Sequence, residues 1–314
     1  MSAVSFAGPL GAGSTVGFVG LGNMGRPMAA RLAAAGFKLQ LVDARPEVAQ
    51  AVATETGGQA LPGIAALGTG LDAVILMLPD GKAVQQVLTG DGGLAARLPR
   101  GSVVIDMGSC EPQGTAQLGE TLAAQGIAMV DAPVSGGVPR ARTGELTIMA
   151  GGAHEAVEHC RPLLATMGKS VVATGTLGSG QAMKSLNNFV SAAGLIATCE
   201  AVVIARQFGL DPQVVAEVLN GSTGKNNTTE HKLRQFILSG TYGSGFSMDL
   251  MVKDLGIAAS VARATGTPTV LAERCLELWK TAQQQLGQGR DHTEMARWID
   301  MAMQAEALKQ KEGD

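Results

Sequence analysis

The sequence is poor in most groups that announce a particular chemistry. Its 314 residues include four cysteines, four histidines and one tyrosine. Cys110, Cys160, Cys199 and Cys275 are scattered, with no CxxC pair and no histidine at ligand spacing. That excludes a disulfide framework and a zinc site, so reduced thiols and no bound metal are expected. Charge is also scarce: 16% of residues are charged, mixed in sign, for a net charge of −3. Such a chain offers no broad attraction to nucleic acid or an anionic membrane. Long apolar runs are missing too. The most apolar stretch, LNNFVSAAGLIATCEAVVIA, is broken by Asn187, Asn188 and Glu200, short of the roughly 20 apolar residues that span a bilayer. Residues 1–13 carry no charged side chain and so lack the basic start of a secretory signal. Residues 1–14 read as a flexible tail, and a cytoplasmic protein with no nucleic-acid and no membrane partner is expected.

What is present is alternation. Short β-branched runs, TVGFVG, KLQLVD, AVILML, SVVID, IAMVD, LTIMA and SVVAT, are separated by stretches of helical period and by Gly/Pro/Asp turns. Runs that are short and apolar on both faces suit strands of a sheet covered on both sides. Their alternation with helices predicts βαβ units. After about residue 176 the strand signals stop. GLDP at 209–212, SGTYGSG at 239–245 and TGTP at 265–268 then separate five or six Ala-, Leu- and Met-rich helices. The expected fold is α/β, a Rossmann-type doubly wound sheet over 15–176 followed by an all-α domain over 177–314.

Gly20, Gly22 and Gly25 stand in G-x-G-x-x-G spacing between a predicted strand and an Ala-rich helix. Gly20 permits the tight turn, Gly22 lets the backbone approach a pyrophosphate, and Gly25 lets the helix pack on the strand. Leu21, Asn23 and Met24 complete a loop whose N–H groups, at a helix N-terminus, suit phosphates. Asp43 ends the second strand at the distance where a carboxylate accepts the ribose 2′-OH of NAD. It disfavours NADP, although Arg45 leaves NADP possible.

Three further segments make the chain resemble the β-hydroxyacid dehydrogenase family, which includes 3-hydroxyisobutyrate dehydrogenase, tartronate semialdehyde reductase and sulfolactaldehyde reductase. They are DAPVSGGVPRARTGELTIMAGG at 131–152, GSGQAMKSLNN at 178–188 and FSMDLMVKDLGIA at 246–258. With the glycine loop they follow the family's order over most of residues 15–260. The resemblance implies hydride transfer between a nicotinamide cofactor and a small 3-hydroxy acid or its semialdehyde. It assigns catalysis to Lys184 and cofactor contacts to Leu78, Pro79, Ser109 and Lys253, with Ala83 unable to offer the polar contact some members have.

The residues themselves suit these roles. Ser135, Gly136 and Gly137 combine a hydroxyl with two glycines whose N–H groups can converge on a carboxylate. Lys184 and Asn188 are four apart, so they share a helix face, with Asn187 slightly to the side. An ammonium there can exchange a proton with the substrate hydroxyl if burial and neighbouring charge lower its pKa, and Asn188 can hold the substrate in register. Met183, Leu186 and Phe189 suggest that this turn is buried. Asp254 beside Lys253 reads as a residue that positions its helix, and Phe246 as packing or as pocket lining.

Pro139 and Arg140 stand where relatives commonly have Gly-Ala. The Arg140 guanidinium suits a second anionic group on the substrate, while an exposed loop arginine is the plainer reading, and Glu145 would counter its charge. Arg142 has counterparts in relatives. Alternative readings are reduction of tartronate semialdehyde, sulfolactaldehyde or an imine, or a non-catalytic dinucleotide-binding module; the presence of Lys184 disfavours the last two. A helix as apolar as 186–205 is expected to be buried all round, beyond what one protomer covers, which predicts a homodimer or homotetramer.

Overall fold

The computed structural model describes residues 4, 6, 8–68 and 70–312. The chain divides into two compact units, Met1–Lys184 and Ser185–Asp314.

The first unit is a nine-stranded sheet. Its strands are β1 (Thr15–Val19), β2 (Lys38–Val42), β3 (Gln59–Ala60), β4 (Ala73–Leu76), β5 (Val103–Asp106), β6 (Ala128–Asp131), β7 (Val134–Ser135), β8 (Leu146–Gly151) and β9 (Gly168–Gly175). The helices are α1 (Gly25–Ala34), α2 (Pro46–Thr56), α3 (Gly81–Thr89), α4 (Pro112–Ala124), α5 (Gly137–Thr143) and α6 (His154–Ala165). The order β3-β2-β1-β4-β5-β6 is parallel throughout; β8 then joins antiparallel to β6 and β7, and parallel to β9.

Alternate residues of one strand feed two different cores. Phe18, Ile75 and Ile105 pack with Met28, Leu32 and Val52 of α1 and α2. Val19, Val74, Leu76 and Val104 pack with Val84, Leu88 and Leu122 of α3 and α4. Burial on both faces is why these strands read as unbroken apolar runs. All seven predicted strands form. The two-residue β3 and β7 were not predicted, because two residues carry no periodicity.

The stretch expected as a free tail is docked where it is described. Leu10 is buried and its N–H donates to His159 O at 2.9 Å, while the Phe6 ring stacks on His159. Residues 1–3, 5 and 7 of that expectation lie outside the described residues.

The second unit is helical. Helix α7 (Ser179–Phe208) begins in the first unit and continues into the second, followed by α8 (Pro212–Gly221), α9 (Asn227–His231), a π-helical turn at Leu233–Leu238, α10 (Met248–Ala264), α11 (Leu271–Leu286) and α12 (Met295–Glu312). The predicted punctuators fall between elements, with Pro212 of GLDP opening α8. Polar side chains close the helix starts: Asp211 accepts from Gln213 N at α8, Asn226 forms a capping box with Thr229 at α9, and Ser247 accepts from Leu250 N at α10. Trp279, Leu195, Leu233 and Met251 anchor the core.

Helix α7 corrects two expectations. Its buried stripe runs Gln181, Ser185, Asn188, Ala192, Leu195 and Cys199, at spacings of three and four, with Ile196 beside it. Polar groups therefore occupy the buried face of the first turns, and Met183 and Leu186, expected to be buried beside Lys184, are exposed. Within one protomer the apolar residues of α7 are not all covered: Val190, Ile204 and Phe208 are 69%, 59% and 83% exposed. By length and composition α7 also meets the requirement for a membrane span, contrary to the sequence reading, yet half of that window is buried inside the protein.

The four cysteines are free and buried, and burial pushes the Cys199 thiol up to about 12 and Cys275 to about 11. Neither supplies a thiolate at neutral pH.

Candidate active site

The glycine loop lies at the C-terminal end of β1, beside the point where the strand order reverses between β1 and β4, the usual position of a ligand crevice in such sheets. Gly20 has φ +96°, and a Cβ there would come 2.4 Å from Met77 O. A Cβ on Gly25 would lie 1.9 Å from Gly20 O, so only glycine lets α1 start this close to β1. At Gly22 a Cβ would meet nothing within 4 Å. That open place is where a ligand backbone can approach. The first turn of α1 has no acidic residue, and its N-cap, Met24, makes no side-chain bond to the helix N–H groups. A cleft of ≈ 580 Å³ opens on the loop, lined in part by Leu21, Gly22, Asn23, Arg26, Arg45 and Arg142. These features fit a dinucleotide pyrophosphate.

Asp43 closes over the same loop. Its Oδ2 accepts from Leu21 N at 2.7 Å and its Oδ1 from Arg45 N at 3.0 Å, with Arg45 Nε at 3.8 Å. The carboxylate is thus held in one orientation at the end of β2. Leu78 and Pro79 follow β4 and Ser109 follows β5. These turns touch, since a Cβ on Gly108 would be 2.6 Å from Leu78 O. Ala83 N donates to Asp80 Oδ1, so that position serves the cap of α3.

The start of α7 is held by a buried bracket that the sequence reading missed. Asp131, at the end of β6, accepts from Gly178 N at 2.8 Å and from Gln181 N at 2.7 Å. Gln181 donates to Asp106 Oδ2 at 3.3 Å and accepts from Cys110 N at 2.9 Å. Room for Asp131 is made by Gly151 and Gly180, where a Cβ would fall 2.4 Å and 2.8 Å from its oxygens. The bracket ties the ends of β5 and β6 to the helix turn preceding Lys184. Burial pushes Asp131 up to about 6, with the Asp106 charge adding to this against the pull of the two N–H groups. Its value in the fold exceeds that of the unfolded chain, so Asp131 binds its proton more tightly when folded. Its contribution to stability is greatest below about pH 4 and declines as pH rises to about 6. Relative to Asp131→Asn, the wild type should lose on the order of 2 kcal/mol between pH 4 and pH 7, read from denaturant midpoints. Parallel pH profiles for the two proteins would refute this.

Lys184 is half-buried one turn beyond Gln181, and Asn188 follows one turn later on the same face. Asn188 is fixed at both ends of its amide: Nδ2 donates to Asp254 Oδ2 at 2.6 Å, and Oδ1 accepts from Asn187 Nδ2 at 3.1 Å. Asp254 is buried, with its other oxygen 3.4 Å from Lys253 Nζ. Asp254 therefore orients Asn188 as well as lying on α10 beside Lys253. The predicted Lys253 belongs to the second unit, whereas the glycine loop belongs to the first.

Ser135 ends the two-residue β7, paired with Thr147 of β8. Gly136 and Gly137 follow with φ +134° and +66°, so the chain turns sharply into α5 and exposes successive N–H groups. Arg140 is exposed, with its aliphatic stem over Gly136. Glu145 does not counter its charge; it accepts instead from Thr143 Oγ1 at 2.8 Å. Phe246 is half-buried, edge-on to His292 with ring centroids 5.4 Å apart. Lys232, which the sequence did not single out, is largely buried by packing and donates to Ser191 Oγ at 3.3 Å.

Residues 15–175 match the family model of the NAD binding domain of 6-phosphogluconate dehydrogenase. Residues 178–299 match that of NADP-dependent 3-hydroxyisobutyrate dehydrogenase. The chain is 33% identical to the 2-(hydroxymethyl)glutarate dehydrogenase of Eubacterium barkeri, over 88% of its length and 91% of the relative's. It is 37% identical to the 3-hydroxyisobutyrate dehydrogenase of Pseudomonas aeruginosa, over 82% and 88%. The solved structure of Mycobacterium tuberculosis 3-hydroxyisobutyrate dehydrogenase with L-serine superposes with a TM-score of 0.82 at 31% identity, covering 91% of this chain and 99% of that one. A glycine cradle shaped for a dinucleotide, a doubly wound sheet and a helical second unit, matched over nearly the whole chain, make this protein a member of the 3-hydroxyisobutyrate dehydrogenase family, NAD(P)-dependent oxidoreductases that act on CH–OH groups.

Proposed function

We propose that the protein interconverts a 2-substituted 3-hydroxypropanoate, HOCH2–CH(R)–COO⁻, and its semialdehyde. The names of the relatives support this class. 3-Hydroxyisobutyrate, 2-(hydroxymethyl)glutarate and L-serine share that skeleton and differ only in R. The observation that carries the reading is α7 itself: a bracketed first turn, Lys184 on the second, and Asn188 locked by Asp254.

Ser135, Gly136 and Gly137 bind the substrate carboxylate. Lys184 takes the hydroxyl proton on oxidation and returns it on reduction, while Asn188, steadied by Asn187, keeps the alcohol in register. The nicotinamide, when bound, supplies the hydride acceptor. Gly20, Leu21, Gly22, Asn23, Met24 and Gly25 hold the pyrophosphate, and Leu78, Pro79, Ser109 and Lys253 are the further cofactor contacts. The fixed Asp43 carboxylate favours the ribose 2′-OH of NAD over the phosphate of NADP, because two like charges at hydrogen-bond range repel. In this reading the dinucleotide-binding domain is 15–176 and the helical domain 177–314, a division close to the two compact units, and the helical domain serves oligomerisation. The exposed apolar residues of α7, with Val214 and Val218 of α8, support a homodimer or homotetramer.

NADH formation from 3-hydroxyisobutyrate, L-serine and 2-(hydroxymethyl)glutarate tests the reading. At least one should be turned over, with NAD preferred to NADP by about tenfold or more in kcat/KM, an effect of roughly 1.4 kcal/mol. Absence of turnover with all three in both directions would remove it.

A further inference from the structure

The second unit holds a cation that none of the roles above uses. Lys232 follows α9 and is largely buried, and its Nζ donates to Ser191 Oγ at 3.3 Å. Among the described residues it makes no ion pair. Asp291, the carboxylate that acts on it, is already engaged: its oxygens accept from Ser244 Oγ, Gly245 N, Thr293 N and Thr293 Oγ1. Close by, His292 is 4% exposed; neither ring nitrogen makes a well-formed hydrogen bond, and only the Phe246 backbone acts on the ring as an acceptor. Buried polar groups are nearly always satisfied. An ammonium with one neutral partner beside an imidazole with no well-formed bond makes a site that an anionic group would complete.

We propose that Lys232, with Ser191 and His292, binds a second acidic group carried on the substrate's R substituent; this rests on Lys184 and Asn188 marking the reacting alcohol. Ser191 lies seven residues beyond Lys184 and three beyond Asn188, so all three share one face of α7. Seven residues of helix span about 10 Å. Allowing hydrogen-bond reach of about 3 Å at each end leaves about 4 Å. A spacer of two or three carbons fits that gap. The substrate is then a hydroxymethyl dicarboxylic acid or its sulfonate counterpart, and not a simple methyl-substituted acid. Burial lowers Lys232 to about 8, so it remains mostly protonated at neutral pH. Burial and then the Lys232 charge lower His292 to about 3, so it is neutral and offers a ring N–H as a donor. Arg140, which the sequence offered for this task, is exposed.

Calorimetric titration of the full-length protein with NADH present, using glutarate and butyrate as probes, tests the subsite without requiring turnover. Glutarate should bind about ten- to a hundredfold more tightly than butyrate, the worth of a charge-assisted bond to a buried cation. Lys232→Met should bring the two acids to parity, and Lys232→Arg should keep part of the difference. Equal affinity of the wild type for both acids would overturn the proposal, whether or not the variants fold. If glutarate is preferred but no hydroxy acid is oxidised, the subsite stands and the dehydrogenation reading falls. If 3-hydroxyisobutyrate is oxidised without any preference for the diacid, the subsite alone falls.

Discussion

Lys184→Ala should lower kcat by about 10²- to 10⁴-fold while leaving NADH affinity within about twofold. The expected loss is that of a positioned proton acceptor. An alcohol gives up its proton reluctantly, and without an amine in place the reaction must rely on water. NADH affinity should survive because the pyrophosphate cradle is built from β1 and α1, and nothing in it depends on the Lys184 side chain. Helix α7 should hold its position, because the bracket of Asp131, Gln181 and Asp106 pins the turn before Lys184 through backbone N–H groups and the Gln181 amide. Lys184→Arg separates proton transfer from charge. A guanidinium keeps the charge but cannot be deprotonated near neutral pH, so this variant should be nearly as slow as Lys184→Ala. Retention of more than a tenth of wild-type kcat by Lys184→Arg would reassign the residue to substrate binding. The paired readout is steady-state kcat and a fluorescence titration of NADH on the same preparations.

Gly25→Ala should cost about 3 kcal/mol of stability and more than a hundredfold in dinucleotide affinity. The obstruction is backbone: the added Cβ would lie 1.9 Å from Gly20 O, 3.0 Å from Gly20 C and 3.2 Å from Phe18 Cε1. No rotamer relieves a clash with a carbonyl oxygen, so α1 must shift from β1, and the glycine loop between them shifts too. Gly22→Ala provides the contrast. Its Cβ meets nothing within 4 Å, and its φ is not in the positive range, so thermal unfolding should change by no more than about 2 °C. NADH affinity should still fall by about tenfold or more, because the methyl group stands where the pyrophosphate approaches the backbone. Full NADH affinity in Gly22→Ala would place the cofactor elsewhere. The two glycines thus divide the motif into one that builds the loop and one that leaves it open.

Much of this protein was determined by the order of its residues. Strands buried on both faces must be apolar throughout, so TVGFV, AVIL and VVID announced a covered sheet before any pairing was known. Gly20, Gly22 and Gly25 stood out by their spacing: at Gly20 and Gly25 a side chain would meet a carbonyl, and at Gly22 it would fill the open place. Helical period alone placed Lys184 and Asn188 on one face, whereas their proposed roles came from the family resemblance. Tertiary structure decided the rest, and in each case the deciding contact joins residues far apart in the chain. Asp131 and Gln181 are 50 residues apart, and neither one alone signals that a buried carboxylate brackets a helix. By composition Met183 and Leu186 are the inward residues of that turn, yet both are exposed. Instead Gln181 and Asn188 are buried, because Asp106 and Asp254 offer their amides hydrogen-bond partners that apolar residues cannot use. Lys232 and Ser191, 41 residues apart, meet only when α9 packs beside α7. A lysine among asparagines and threonines has no local period, so burial and charge at that point arise from packing alone.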